Sequence, residues 1–151
     1  TSLIHVTLRE VGLDISLSAS ARKARVGEDV RFSARVAGGF PPYAYRWDLG
    51  DGTTSVEESL QHAYGQAGKL DLSLTITDDR GNAATETKKE FITIDPMLAK
   101  LDASATEVKV GQEIWFTPGV AGGFPPYTYQ WDFGDGSISA ERQPRHAYGQ
   151  A

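Results

Sequence analysis

The sequence has no cysteine and a single methionine. It can therefore form no disulfide, no thiolate metal site and no thiol nucleophile, although this leaves the compartment open. No apolar stretch approaches the roughly 18–20 residues needed to cross a bilayer, and the first residues carry no signal-peptide pattern. Lys and Arg number 15 against 20 Asp and Glu, and no run of like charge exceeds a few residues, so nothing suggests a surface for nucleic acid. No segment repeats its apolar residues at a helical period. Neither a Gly-x-Ser-x-Gly elbow nor a His-Glu-x-x-His pair occurs, which removes the commonest signatures of hydrolases.

What is present is a globular composition, 40% hydrophobic and 23% charged over 151 residues. That length holds one ordinary domain or two small ones. The chain is internally repeated. AGGFPPYAYRWDLGDG, ending at Gly52, recurs 84 residues later as AGGFPPYTYQWDFGDG. His62-Ala-Tyr64-Gly-Gln-Ala recurs as His146-Ala147-Tyr148-Gly-Gln-Ala, and Val26-Gly27 as Val110-Gly111. Between Leu17 and Ala67 no gap is needed, and about 29 of the 51 pairs are identical. The period exceeds the 20–50 residues of solenoid units, so the repeated object is a small domain.

Within a unit the patterning has period two. Val30, Phe32, Ala34 and Val36 fall on one face of a strand, with Arg31, Ser33 and Arg35 on the other. Leu70, Leu72, Leu74 and Ile76 alternate likewise, and Tyr43, Tyr45 and Trp47 share a side. Such alternation marks half-buried antiparallel strands. Gly-Gly, Pro-Pro, Gly-Asp-Gly and Asp-Arg-Gly-Asn place turns every 8–12 residues. The expected strands are Leu13–Ser20, Asp29–Ala37, Tyr43–Leu49, a short piece near Thr53–Val56, Gln61–Tyr64, Lys69–Thr77 and Ala84–Ile94. Seven short strands in about 84 residues predict an immunoglobulin-like sandwich. The fold class is thus all-β, in tandem sandwiches with the second copy incomplete. Residues 1–10 are expected to be the last strand of a preceding repeat, 11–95 a complete domain, and 96–151 the N-terminal part of a second. An incomplete sandwich exposes its core and edges, so the intact protein is expected to continue.

The constellation resembles the PKD (polycystic kidney disease) repeat. It comprises Gly27, then Tyr43-Ala-Tyr45-Arg-Trp47-Asp48-Leu49-Gly50-Asp51-Gly52, His62-Ala-Tyr64, Gly68, the alternating run ending at Asp78, and Gly81-Asn82. The second unit matches through Trp131-Asp132-Phe133-Gly134-Asp135-Gly136 and His146-Ala147-Tyr148. The similarity covers nearly all of residues 13–151; Leu49 stands where the family usually has Phe. The resemblance implies an extracellular or cell-surface beta-sandwich, found in surface-layer proteins, collagenases, chitinases and other secreted hydrolases. It implies a spacer or binding module, not an enzyme.

The acids of the repeated motif are too few for a calcium loop, which needs several alternating oxygen ligands and a distal bidentate Glu. Asp48 and Asp51 read instead as turn residues, with Gly50 and Gly52 free to take positive φ. Trp47 and Trp131 read as core. His62 and His146, each two residues before a Tyr, read as hydrogen-bonded strand residues, since a general base needs a reactive group in reach. No catalytic or cofactor-binding residue is assigned. Calcium, which some collagenase members of the family bind near the domain edge, has only Asp78, Asp79, Asn82 and Asp95 as candidates; solvated turn acids are the alternative.

The two copies differ most on the outward faces. Arg31 becomes Trp115 and Arg35 becomes Gly119, while on the inward face Phe32 stays Phe116 and Ala34 becomes Pro118. An outward Trp packs on a neighbouring domain or chain, stacks on a sugar, or simply stays exposed. Pro118 within a strand implies an edge or a bulge. Phe40 and Phe124, each before Pro-Pro, are either caps on rigid turns or contacts between repeats. The expected partners are neighbouring repeats, other copies of the chain, or extracellular polysaccharide or matrix.

Overall fold

The computed structural model describes residues 12–150, so the expected strand in residues 1–10 lies outside the described residues. The first unit contains β1 (Asp14–Ala19), β2 (Lys23–Arg25), β3 (Asp29–Ala37), β4 (Ala44–Asp48), β5 (Thr54–Ser55), β6 (Ser59–Ala63), β7 (Gly68–Thr77) and β8 (Ala83–Asp95). They form two sheets, β1-β3-β6 and β2-β8-β7-β4-β5. No helix occurs among the described residues.

Each strand buries one alternating face. Leu17, Val30 and Phe32 from the smaller sheet meet Trp47, Leu72, Leu74, Ile76, Ile92 and Ile94 from the larger. The Phe32 ring lies 6.4 Å from Trp47 and stands edge-on to Tyr64 at the same distance. These aromatics fill the space between sheets that smaller side chains would leave as voids.

Strand boundaries fall within two residues of those expected, because the alternation itself marks where one face is buried. Two features were not expected. The first is β2, which pairs in parallel with the end of β8, Lys23 opposite Thr93 and Arg25 opposite Asp95. Three residues are too few to show a period. The second is a bulge between β7 and β8, where the register shifts between Leu70 and Leu72. Glu90 takes φ 45° there, and its N–H donates to Asp71 Oδ1 at 2.8 Å. Across this step β8 carries two residues more than β7, so Lys88 and Ile92 keep the same inward phase while Phe91, inside the bulge, is buried beside Ile92.

The second unit contains β9 (Leu98–Ala103), β10 (Glu113–Ala121), β11 (Trp131–Asp132), β12 (Ile138–Ser139) and β13 (Arg145–Ala147). β9 and β10 reproduce β1 and β3 residue for residue at the 84-residue offset. The segment equivalent to most of β4 has no strand pairing, because β4 is held by β7 and no counterpart of β7 lies among the described residues. The consequence appears at matched positions. Leu17 is 3% exposed, whereas Leu101 is 64% exposed. Leu101, Val120, Tyr127, Tyr129 and Trp131 line an open apolar hollow.

Candidate functional site

The repeated motif is a strand end running into a tight turn. Trp47, at the end of β4, is fully buried, and its indole N–H donates to the Glu57 carbonyl at 2.8 Å. Asp48 Oδ1 accepts the Gly50 N–H at 3.0 Å, and Asp51 Oδ1 accepts the Thr53 N–H at 2.9 Å. Gly50 has φ 84°, and a β-carbon there would run into the Asp71 carbonyl. The second copy repeats these bonds: Trp131 to Glu141 at 2.8 Å, Gly134 to Asp132 at 2.9 Å and Ser137 to Asp135 at 2.9 Å.

The histidines complete this turn. His62 Nε2 lies 2.7 Å from Asp51 Oδ2, and its ring meets Tyr64 edge-on at 4.6 Å. Tyr64 in turn donates to the Leu49 carbonyl at 3.2 Å. His146, Asp135, Tyr148 and Phe133 repeat the set, with His146 also stacked on Phe133 at 4.3 Å. Burial by itself raises the Asp51 carboxyl, but bonds from His62 and Thr53 outweigh it and hold the group below its ordinary range. Burial, with the nearby Asp51 charge, raises the Tyr64 hydroxyl.

A His–Asp pair is two members of a hydrolytic triad, whose third member must meet the free side of the imidazole. Among the described residues no hydroxyl is hydrogen-bonded to either histidine. Both oxygens of Asp51 are already accepting bonds. The arrangement ties a turn to a strand, twice.

The acids considered for calcium do not converge. Asp78 Oδ1 accepts the N–H groups of Arg80 and Asn82 at 3.0 and 2.8 Å. Its Oδ2 accepts the Phe40 N–H at 3.1 Å and the Asn82 side chain at 2.9 Å. The bond from the Asn82 side chain is the main reason its carboxyl is lowered. Asp95 pairs with Lys23 at 3.1 Å at the far end of the 13-residue β8. Its ladder with the ten-residue β7 sets Asp95 roughly 30 Å from the Asp78 turn at about 3.3 Å per residue. No group of three or more His, Cys, Asp or Glu side chains placed to hold a metal ion exists among the described residues.

The residues expected to meet partners have intramolecular neighbours. Trp115 is 53% exposed, and the Arg145 guanidinium sits over its ring at 4.7 Å. In the first unit the same pair of positions is Arg31 bonded to Gln61 at 3.2 Å. Pro118 pairs with Leu101 of β9, but its other side lies beyond the end of β13, whose pairing stops at Trp115. The missing N–H therefore removes no ladder bond. Phe40 is covered on one side by Arg80 at 3.5 Å, and Phe124 is exposed.

Contact between the units runs through glycines rather than these aromatics. The Gly123 N–H donates to the Val26 carbonyl. Val26 N–H donates to Asp95 at 3.0 Å, and Arg25 Nη1 donates to Pro96 at 3.3 Å, which holds the linker against the first unit. Sequence reasoning passed over Gly122 and Gly123 as turn formers. The available signal was that both glycines, and Val26-Gly27, recur in register.

PKD domain profiles match residues 15–94 and residues 98–151. The chain belongs to the PKD domain family. Among curated relatives, the pre-pro-metalloprotease PrtV of Vibrio cholerae is 36% identical over 74 residues, covering 49% of this chain and 8% of that protein. Collagenase ColA of Bacillus cereus is 39% identical over 57 residues, covering 38% of this chain and 6% of that protein. The chain thus spans less than a tenth of the length of these two relatives. A solved chain described among the carbohydrate-binding modules of the beta-sandwich superfamily superposes with TM-score 0.52 at 18% identity, over 73% of this chain and 56% of that one. That likeness is one of fold. The tandem PKD units are immunoglobulin-like sandwiches, as the alternation and turn spacing imply.

Proposed function

We propose that this chain is a non-catalytic, extracellular tandem PKD module that acts as a spacer or assembly unit of a larger surface protein, layer or filament. The observation that carries the reading is the end-to-end joint closed by backbone contacts between Val26 and Gly123. A closed joint transmits direction from one unit to the next, which is what a spacer does. Two units laid end to end, each with strands of about 30 Å at ~3.3 Å per residue, give a particle about 60 Å long. Small-angle X-ray scattering on the chain measures this. A maximum dimension near that of a single compact sphere of the same mass would overturn the reading.

A second reading is an accessory module that holds a secreted hydrolase on its polymer. It is favoured by the relatives named as a metalloprotease and a collagenase and by the exposed Trp115 and Phe124. Exposed aromatics suit sugar rings and collagen alike. Retention of the chain on insoluble collagen, chitin or cellulose, lost on Trp115→Ala, would favour it. Passage through all three would leave the spacer.

A further inference from the structure

The joint between the units is made from two turns that every unit carries. The receiving turn is Arg25-Val26-Gly27, and the inserting turn is Gly122-Gly123. A β-carbon on Gly122 would stand 2.8 Å from Arg25 Cβ and 2.9 Å from the Val26 carbonyl oxygen. One on Gly27 would run into the Gly123 carbonyl. Met97 closes the other side of Gly123, its sulfur 2.7 Å from where a β-carbon would be. Only a backbone without side chains fits between these surfaces.

Both halves recur at the 84-residue period. The inserting half reappears as Gly38-Gly39, with Leu13 in the place of Met97 and 2.6 Å from a β-carbon on Gly39. The receiving half reappears as Lys109-Val110-Gly111, already in the receiving shape. Gly27 and Gly111 have φ 81° and 83°. Their N–H groups donate to Tyr64 and Tyr148 at 3.0 and 2.9 Å. Glu28 donates to Arg25, and Gln112 to Lys109, both at 3.0 Å. What differs is the cover. Arg25, Val26 and Gly27 are half-buried, whereas Val110 is 58% exposed and a β-carbon on Gly111 would meet nothing within 4 Å.

We propose that Lys109–Gly111 is a docking surface for the Gly-Gly turn of a following repeat in the same polypeptide. The occupant is identified by the joint already formed in this chain: a turn of two glycines presented just after the second strand of a unit that itself follows a short Asp95-Pro96 linker. Because the contact joins unlike surfaces, repeating it propagates one fixed rotation from unit to unit, as any heterologous contact does. This inference rests on the spacer reading and adds a mechanism of stiffness to it.

The test compares the 151-residue chain with the same chain extended at its C-terminus by a second copy of its residues 68–151, which keeps the repeat register. Amide hydrogen exchange is followed at Gly123 and at its counterpart in the added repeat. Both are expected to exchange about tenfold or more slower than exposed amides. Gly27→Ala should release Gly123 in either chain. Gly111→Ala should leave Gly123 protected in both and release only the counterpart. Gly27 and Gly111 share the same positive φ, so backbone strain is equal and the difference reports docking. A free counterpart amide in a folded extended chain, or protection indifferent to Gly111→Ala, would overturn the proposal. So would a Gly123 amide unprotected in the 151-residue chain, a measurement that needs no extension. Retention on collagen or chitin would instead count against the spacer reading and leave the joint standing.

Discussion

His62 and Asp51 stand 2.7 Å apart in the first unit, and His146 and Asp135 repeat that distance in the second. Each pair fastens the glycine turn to the strand two residues before a buried or half-buried tyrosine. His62→Ala should therefore destabilise the first unit by about 1 kcal/mol, the net value of a hydrogen bond at a partly exposed site. Urea unfolding followed by fluorescence in a Trp115→Phe, Trp131→Phe background, where Trp47 alone emits, measures it. An unchanged midpoint would mean that the pair contributes nothing to stability.

The same turns set a response to acid. The carboxyls of Asp51, Asp78 and Asp135 are all held below their ordinary range in the folded chain. A depressed carboxyl contributes stability above its unfolded value, about 3.9 for Asp. That contribution is lost as the pH falls through the lower folded value. The melting temperature should therefore decline below about pH 4. Asp78→Asn, which loses the charge but keeps the size, should lower the plateau and shallow the decline. Circular dichroism melts between pH 2 and 6 read both.

Trp47 and Trp131 are the same residue of the same motif, but only Trp47 is fully buried. Trp47→Ala should cost about 3–5 kcal/mol, in the range for a large core deletion. Trp131→Ala should cost roughly half of that or less, because less apolar surface returns to water. Equal costs in denaturant unfolding would contradict the difference in cover.

Trp115 and Arg145 face each other across β10 and β13 with the guanidinium over the ring. A double-mutant cycle on Trp115→Ala and Arg145→Ala should give a coupling of about 0.5–1 kcal/mol, the value for an exposed cation–π pair. A coupling of zero would leave the tryptophan free to serve a partner alone.

Much of this was legible from local pattern. The alternation of Val30, Phe32, Ala34 and Val36 determined a strand and its inward face, because side chains of a strand point alternately to opposite sides. The Gly-Asp-Gly run determined a turn, and the 84-residue period determined two copies of one domain. These features depend on neighbours a few residues away. The calcium candidates illustrate the limit: Asp78 and Asp95 are 17 positions apart in sequence, but β8 carries them to opposite ends of the unit.

What the tertiary structure alone decided was which groups are covered and by what. Leu17 and Leu101 occupy one position in the repeat, yet one is buried and the other open, since burial depends on strands dozens of residues away. The parallel pairing of β2 with β8, the partner of each histidine and the glycine joint are non-local in the same way. The sequence by itself determined the two sandwiches and their turns. Only the assembled sheets decided that Gly122 and Gly123 are absent of side chains for the sake of the neighbouring unit, because the backbone they admit belongs to residues nearly a hundred positions earlier.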